Sequence, residues 1–117
     1  IAQTYLGHMY EEGLGVPRNY VAAASWLQLA AEQGEPTAQF LLGLLFNKGF
    51  GVPEDWVQAE VWLNLAASHA APGQRAYWVR VRDGVAQKLT LDQVAEAQRR
   101  AFLFSPIAGV PALSARY

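Results

Sequence analysis

One block of this chain is written twice. Laid over one another 36 residues apart, Ala2 and Ala38, Gln3 and Gln39, Leu6 and Leu42, Gly7 and Gly43, Gly13 and Gly49, and Gly15 and Gly51 coincide. The register runs on without a gap through Val16/Val52, Pro17/Pro53, Val21/Val57, Ala23/Ala59, Trp26/Trp62, Leu27/Leu63, Leu29/Leu65, Ala30/Ala66, Ala31/Ala67 and Pro36/Pro72. A fixed period of this length belongs to solenoids, in which one unit cannot bury its apolar face alone and stacks on a copy of itself.

Within a block, Leu6, Met9 and Tyr10, then Ala23, Trp26, Leu27 and Ala30, recur at three- and four-residue steps, the spacing of one face of a helix. The pattern predicts a first helix over residues 2–12, ended by Gly13 in left-handed backbone, and a turn through Gly15, Val16 and Pro17. Asn19 and its counterpart Asp55 stand where an N-cap belongs. The second helix then runs to about Gln33, Gly34 closes it, and Pro36 opens the next, where its missing N–H costs nothing. Gly7 and Gly43 sit in mid-helix, at a cost of about 1 kcal/mol against alanine. A cost incurred twice predicts close backbone approach, to Trp26 and Trp62 or to the next helix. Trp26, Trp62 and Trp78 are expected in the core, and Trp56 part in the core and part at the surface.

After Pro72 the pattern changes. Trp78, Val81, Val85 and Leu89 predict a helix over 74–88. Thr90 followed three residues on by Gln93 is a capping box, opening a last helix over 91–103 with Leu91, Val94, Ala97 or Gln98, and Ala101 or Phe102 inward. This pair lacks the Gly-x-Gly turn and the repeated tryptophan, as a cap would. Ala70 stands where Gly34 did, which predicts a longer fourth helix. The expected organisation is a repeat domain over 1–104 (repeat one 2–37, repeat two 38–73, capping helix pair 74–104) and an extended C-terminal tail over 105–117. Pro106, Gly109 and Pro111 forbid one helix there, while Ile107, Val110, Leu113 and Tyr117 predict either docking on an apolar surface or a linker.

Charge and composition remove several classes. A net charge of −1 with pI ≈ 6.1 and no basic stripe predicts no nucleic-acid partner. No apolar run nears the ~18 residues of a membrane span. With no cysteine there are no disulfides and no thiolate metal sites, and the compartment, envelope or cytoplasm, stays open. The chain starts at Ile1 without an initiator Met, as a processed form or a fragment would. Gly13-Leu14-Gly15 and Gly49-Phe50-Gly51 lack the strand, third glycine and Lys-Ser of a phosphate loop and are expected to be turns. His8 and His69 fall at unmatched positions, with no second ligand expected at helical spacing. Glu11 and Glu12 are expected to diverge into solvent, and no serine or threonine has a His/Asp relay. No enzyme activity, cofactor or metal is expected.

Ala-Gln-x-x-Leu-Gly-x-x-Tyr-x-x-Gly-x-Gly-Val-Pro followed by Asn-Tyr-x-x-Ala-x-x-Trp-x-x-x-Ala-Ala-x-x-Gly resembles the Sel-one-like repeat of the tetratricopeptide-like superfamily. Residues 2–37 match nearly throughout. Residues 38–69 match with Phe46 for the tyrosine and Trp56 for the aromatic after the cap. Arg82-Asp83, Leu89-Thr90 and Ala95-Glu96-Ala97-Gln98-Arg99 are similar to the helical ends of many bacterial members. The resemblance implies an all-α, right-handed α-solenoid of antiparallel helix pairs, two full repeats and a capping pair. It also implies a scaffold for protein–protein contacts. Some secreted members staple each repeat with a cysteine pair, which this chain lacks.

In the tetratricopeptide geometry that the resemblance implies, first helices line a concave groove. The groove-facing positions are then Thr4, His8, Glu11 and Glu12, with Phe40, Leu44, Asn47 and Lys48 in register, Tyr5 and Leu41 at the border, and Tyr77 and Arg80 continuing the strip. Phe40 fits the core as well as the groove. An apolar centre ringed by Lys48, Glu12 and Arg80 suits a peptide or helix of another protein. A second reading is a bacterial-envelope module that holds a peptidoglycan glycan or stem peptide on Tyr5, Trp56 and Tyr77. The stacking face near Ile1 leaves room for a homodimer or for further repeats.

Overall fold

A computed structural model of the protein describes residues 2–106, and the expectations placed on Ile107–Tyr117 lie outside them. Six helices and no strand occur among the described residues: α1 Ala2–Glu12, α2 Tyr20–Glu32, α3 Pro36–Lys48, α4 Trp56–Ser68, α5 Pro72–Ala86 and α6 Leu91–Leu103. The fold is the expected all-α helical repeat: α1 packs on α2, α3 on α2 and α4, and α5 on α4.

Local chemistry sets the helix ends. Gly13 and Gly49 take φ of +71° and +72°, and the Gly49 N–H donates to Leu45 O at 2.8 Å. Asn19 Oδ1 accepts from the Ala22 N–H and Asp55 Oδ1 from the Gln58 N–H, both at 3.0 Å. Each turn is closed by the cap's own N–H, Asn19 to Tyr10 O at 2.9 Å and Asp55 to Phe46 O at 3.0 Å. Pro36 opens α3 behind a cap not among the expected ones, Glu35, whose carboxylate accepts from the Thr37 and Ala38 N–H groups.

The fourth helix does not run long. It stops at Ser68, in register with the Glu32 end of α2. The Ser68 hydroxyl donates to Leu65 O at 2.7 Å, and Pro72 opens α5 two residues ahead of expectation while holding Ala71 in extended backbone. The close approach at Gly7 and Gly43 is to the next helix, but the side chain met is a leucine and not the tryptophan. A Cβ on Gly7 would lie 2.6 Å from Leu27 Cγ, and one on Gly43 2.9 Å from Leu63 Cγ.

The tryptophans face the neighbouring repeat instead. Trp62 is buried in one cluster with Ala24, Leu27, Leu42, Leu65 and Ala97, whereas its copy Trp26 is only half-buried. Leu29 is 46% exposed and its copy Leu65 7%. Trp26 thus lacks the cover that Trp62 finds in the cluster with Ala24 and Leu27, and Leu29 the cover that α6 gives Leu65.

The last two helices depart from a regular pair. α6 packs on α4, and its backbone barely approaches α5. Ala97 is fully buried against the cluster of Val61, Trp62 and Leu65, with Ala101 and Phe104 beside it. The Phe104 ring meets Trp62 edge-on at 5.7 Å. Leu91, expected inward, is exposed instead, because α6 seats on α4 through its small residues; of Ala101 and Phe102 it is Ala101 that packs inward, and Phe102 is exposed. Trp78 is core as expected, stacked on Phe40 with ring centroids 4.7 Å apart. Trp56 is half in solvent beneath the Lys88 ammonium, 4.9 Å from its ring. Lys88 also donates to Asn47 Oδ1 at 2.7 Å, clipping the α5–α6 turn onto α3.

Candidate functional site

The 36-residue register puts equivalent residues of α1, α3 and α5 in rows across one face. Tyr5, Leu41 and Tyr77 form one row, His8, Leu44 and Arg80 the next, and Glu12, Lys48 and Gly84 the third. Along each helix these positions are three or four residues apart, so they share one side. Tyr5 and Tyr77 are 63% and 53% exposed. Leu41 and Leu44 are half-buried, and both lean on the cluster formed by Phe40, Leu63, Trp78 and Val85. Between α1 and α3 the face sinks into a depression of about 400 Å³ lined by Thr4, Tyr5, His8, Glu35, Thr37 and Leu41.

Four of the twelve groove positions expected from the sequence, Thr4, Tyr5, His8 and Leu41, meet in that depression. Thr4 is buried, its hydroxyl donating to Glu35 Oε1 at 2.6 Å, so it ties α1 to the cap of α3. Phe40 is buried too. It stacks on Trp78 and meets Tyr77 at 5.9 Å, so it stiffens the wall from behind and offers little surface. Lys48 and Arg80 stand at the far side, their charges over the rings of Phe50 and Tyr77 at 5.8 and 5.7 Å. Glu35 and Thr37 were missed. Their signal was present, since Thr37 lies one helical turn before Leu41 and Glu35 precedes a Pro at a helix start.

Two expectations are overturned: Glu11 and Glu12 do not both diverge into solvent, and His8 is not without neighbours. His8 does have ligand-type neighbours at helical spacing: Glu11 and Glu12 follow at i+3 and i+4, and the donor atoms of all three lie within 4.8 Å of one another. The Glu11 carboxyl is pushed up by burial first and by the Glu12 charge second, while His8 and Lys48 pull it back. Its Oε1 is buried without a hydrogen-bond partner. One imidazole and two carboxylates are metal-ligand types, but the nearby α3 group acting on Glu11 is Lys48, itself a cation, which opposes a metal at this place. Elsewhere, Ser68 Oγ lies 3.0 Å from His69 Nδ1, yet its hydrogen is directed to Leu65 O. That pair finishes a helix and makes no relay.

The Sel1 repeat profile matches twice, over residues 1–35 and 36–70. The chain belongs to the Sel1 repeat family. Its fold is that of c5321 from uropathogenic Escherichia coli, a protective antigen displaying an SLR fold, with a TM-score of 0.80 and 33% identity over 88% of this chain and 21% of the other. A Sel1 repeat protein from Oxalobacter formigenes is similar at a TM-score of 0.66 and 31% identity, over 89% of this chain and 43% of that one. The chain thus spans less than half the length of either protein. No curated protein matches it. Sel1 repeat proteins are generally protein–protein interaction modules and non-catalytic scaffolds.

Proposed function

We propose that this Sel1 repeat chain is a non-catalytic adaptor that holds a peptide or helix of another protein on its α1–α3–α5 face. The observation that carries the reading is the row Tyr5–Leu41–Tyr77. Two tyrosines are left mostly in water, in register, on either side of a half-buried leucine, beside a depression of about 400 Å³. Tyrosine joins a large apolar body to one hydroxyl and loses little entropy on ordering, which is why it is enriched where proteins meet. Phe40 and Trp78, stacked directly beneath, keep the α3–α5 part of the surface preformed, so binding there spends little on reorganisation.

A photo-crosslinking amino acid in place of Tyr5 or Tyr77, and in separate chains in place of Ser25 or Gln28 on α2, tests the reading in the source cells. Adducts to one protein from the two groove positions alone would support it. Adducts from the α2 positions alone would refute it.

A further inference from the structure

The face sorts its chemistry along the helix axis, and this inference rests on the groove reading above. In the depression, the Thr4 hydroxyl and the Glu35 carboxylate are already committed within the fold. Glu35 Oε1 accepts from the Thr4 hydroxyl and the Ala38 N–H, and its Oε2 accepts from the Thr37 N–H. What remains for a guest is chiefly the apolar surface of Tyr5 and Leu41, in a volume at the small end of ligand pockets, which suits one large apolar side chain.

Seven residues further along α1 the chemistry inverts. Glu12 lies about 10 Å from Tyr5 by the helix rise, and an extended chain covers that distance in about three residues. At this end two carboxylates, Glu11 and Glu12, stand together, and Lys48 acts on Glu11 from α3. Glu11 is half-buried and one of its oxygens has no partner. A partly desolvated carboxylate in that state gains more from a second cation than a solvated one does, and it repels an acidic guest.

We propose that the groove recognises an extended segment with a large apolar side chain and a Lys or Arg three residues away. The apolar group sits between Tyr5 and Leu41, and the cation sits on the exposed Glu12, beside the half-buried Glu11. The spacing comes from the two helix positions and the charge from the two carboxylates.

Panning a random dodecapeptide phage library on the whole chain tests this. Recovered peptides are then measured by fluorescence polarisation at low and high salt. The comparison proteins are Glu12→Gln, Glu11→Gln/Glu12→Gln and Tyr5→Ser, each checked for native circular dichroism; Glu12 and Tyr5 are exposed, so those single changes leave the fold alone. The expected result is enrichment of apolar-x-x-basic sequences, in either direction. Their affinity should fall about tenfold or more in the double variant and with rising salt. Peptides that depend on Tyr5 but carry no basic residue at that spacing, or that ignore both glutamine variants, would overturn this inference and leave the groove reading standing. No peptide dependent on Tyr5 would overturn both.

Discussion

Glu60 offers the sharpest test of the packing described above. In repeat one its position is Ala24, a core residue; in repeat two the same position carries a carboxylate that is 2% exposed, with an oxygen that finds no hydrogen-bond partner. On α4, Ala59, Leu63 and Ala66 pack with Trp78 and Val85 of α5, while Val61 and Leu65 pack with Ala97 of α6. By helical period Glu60 falls in the sector between, where α5 and α6 barely approach one another. Burial pushes its carboxyl from the ordinary 4.5 to about 7; Arg82 opposes this and Asp83 adds to it. Arg82 helps little because its guanidinium is bound to Asp83 at 3.1 Å. The folded state therefore holds this proton more tightly than the unfolded chain does. Below pH ~4.5 both states are protonated and Glu60 carries no pH-linked penalty. From about 4.5 to 7 only the unfolded state releases the proton, so stability falls by about 1.4 kcal/mol per pH unit, levelling off above 7 at a total of about 3 kcal/mol. That is a large share of the ~5–15 kcal/mol of an ordinary domain. Glu60→Gln keeps the shape and cannot ionise. In urea unfolding followed by circular dichroism, the variant's advantage over the parent should grow by about 3 kcal/mol between pH 4 and pH 8. Glu11, also raised, contributes equally to both proteins and cancels in the difference. Parallel stability curves across that range would refute the claim that this carboxyl is buried and unpaired.

The two turn glycines give a matched pair. Gly15 and Gly51 have nearly the same backbone, φ +74° and +76°, but a Cβ on Gly51 would run into Tyr20 O while one on Gly15 meets nothing within 4 Å. Gly15→Ala should cost about 1–2 kcal/mol for the left-handed backbone alone, and Gly51→Ala about 3 kcal/mol or more once overpacking is added; equal losses in urea unfolding would sink the assignment. The half-buried Trp26, whose copy Trp62 is buried with Ala24 and Leu27, predicts that tandem duplication of residues 2–37 raises the urea midpoint by giving one Trp26 the same cover; an unchanged or lower midpoint would count against stacking on that face.

The helix pairs were legible because their signals are local and occur twice. Left-handed glycines at 13 and 49 and side-chain caps at 19 and 55 act within one turn of chain, and each copy checks the other. The placement of α6 was not legible. Its capping box and apolar period are satisfied equally whether the helix leans on α5 or on α4, and the choice is made by a distant match of Ala97 and Ala101 to the cluster around Trp62. Phe40 was ambiguous for a related reason: only the stacked Trp78, which has no aromatic copy at Leu42 or Leu6, turns it from groove lining into wall.

The site depended on a different use of the same register. A repeat chain must hold its copies together with the residues that the copies share, so positions where they differ in character are freer to serve something else or to record a local cost. His8, Leu44 and Arg80 occupy one row and share no chemistry, and all three retain exposure on the candidate face. Ala24 and Glu60 share a position in which alanine is ordinary core and glutamate is a buried acid. Glu11 and Glu12 follow His8 at helical spacing, against the expectation, and Glu11 is half-buried instead of diverging with Glu12 into solvent. In a solenoid the period identifies what folds the chain, and departures from it, read with helical spacing inside one repeat, identify where its chemistry lies.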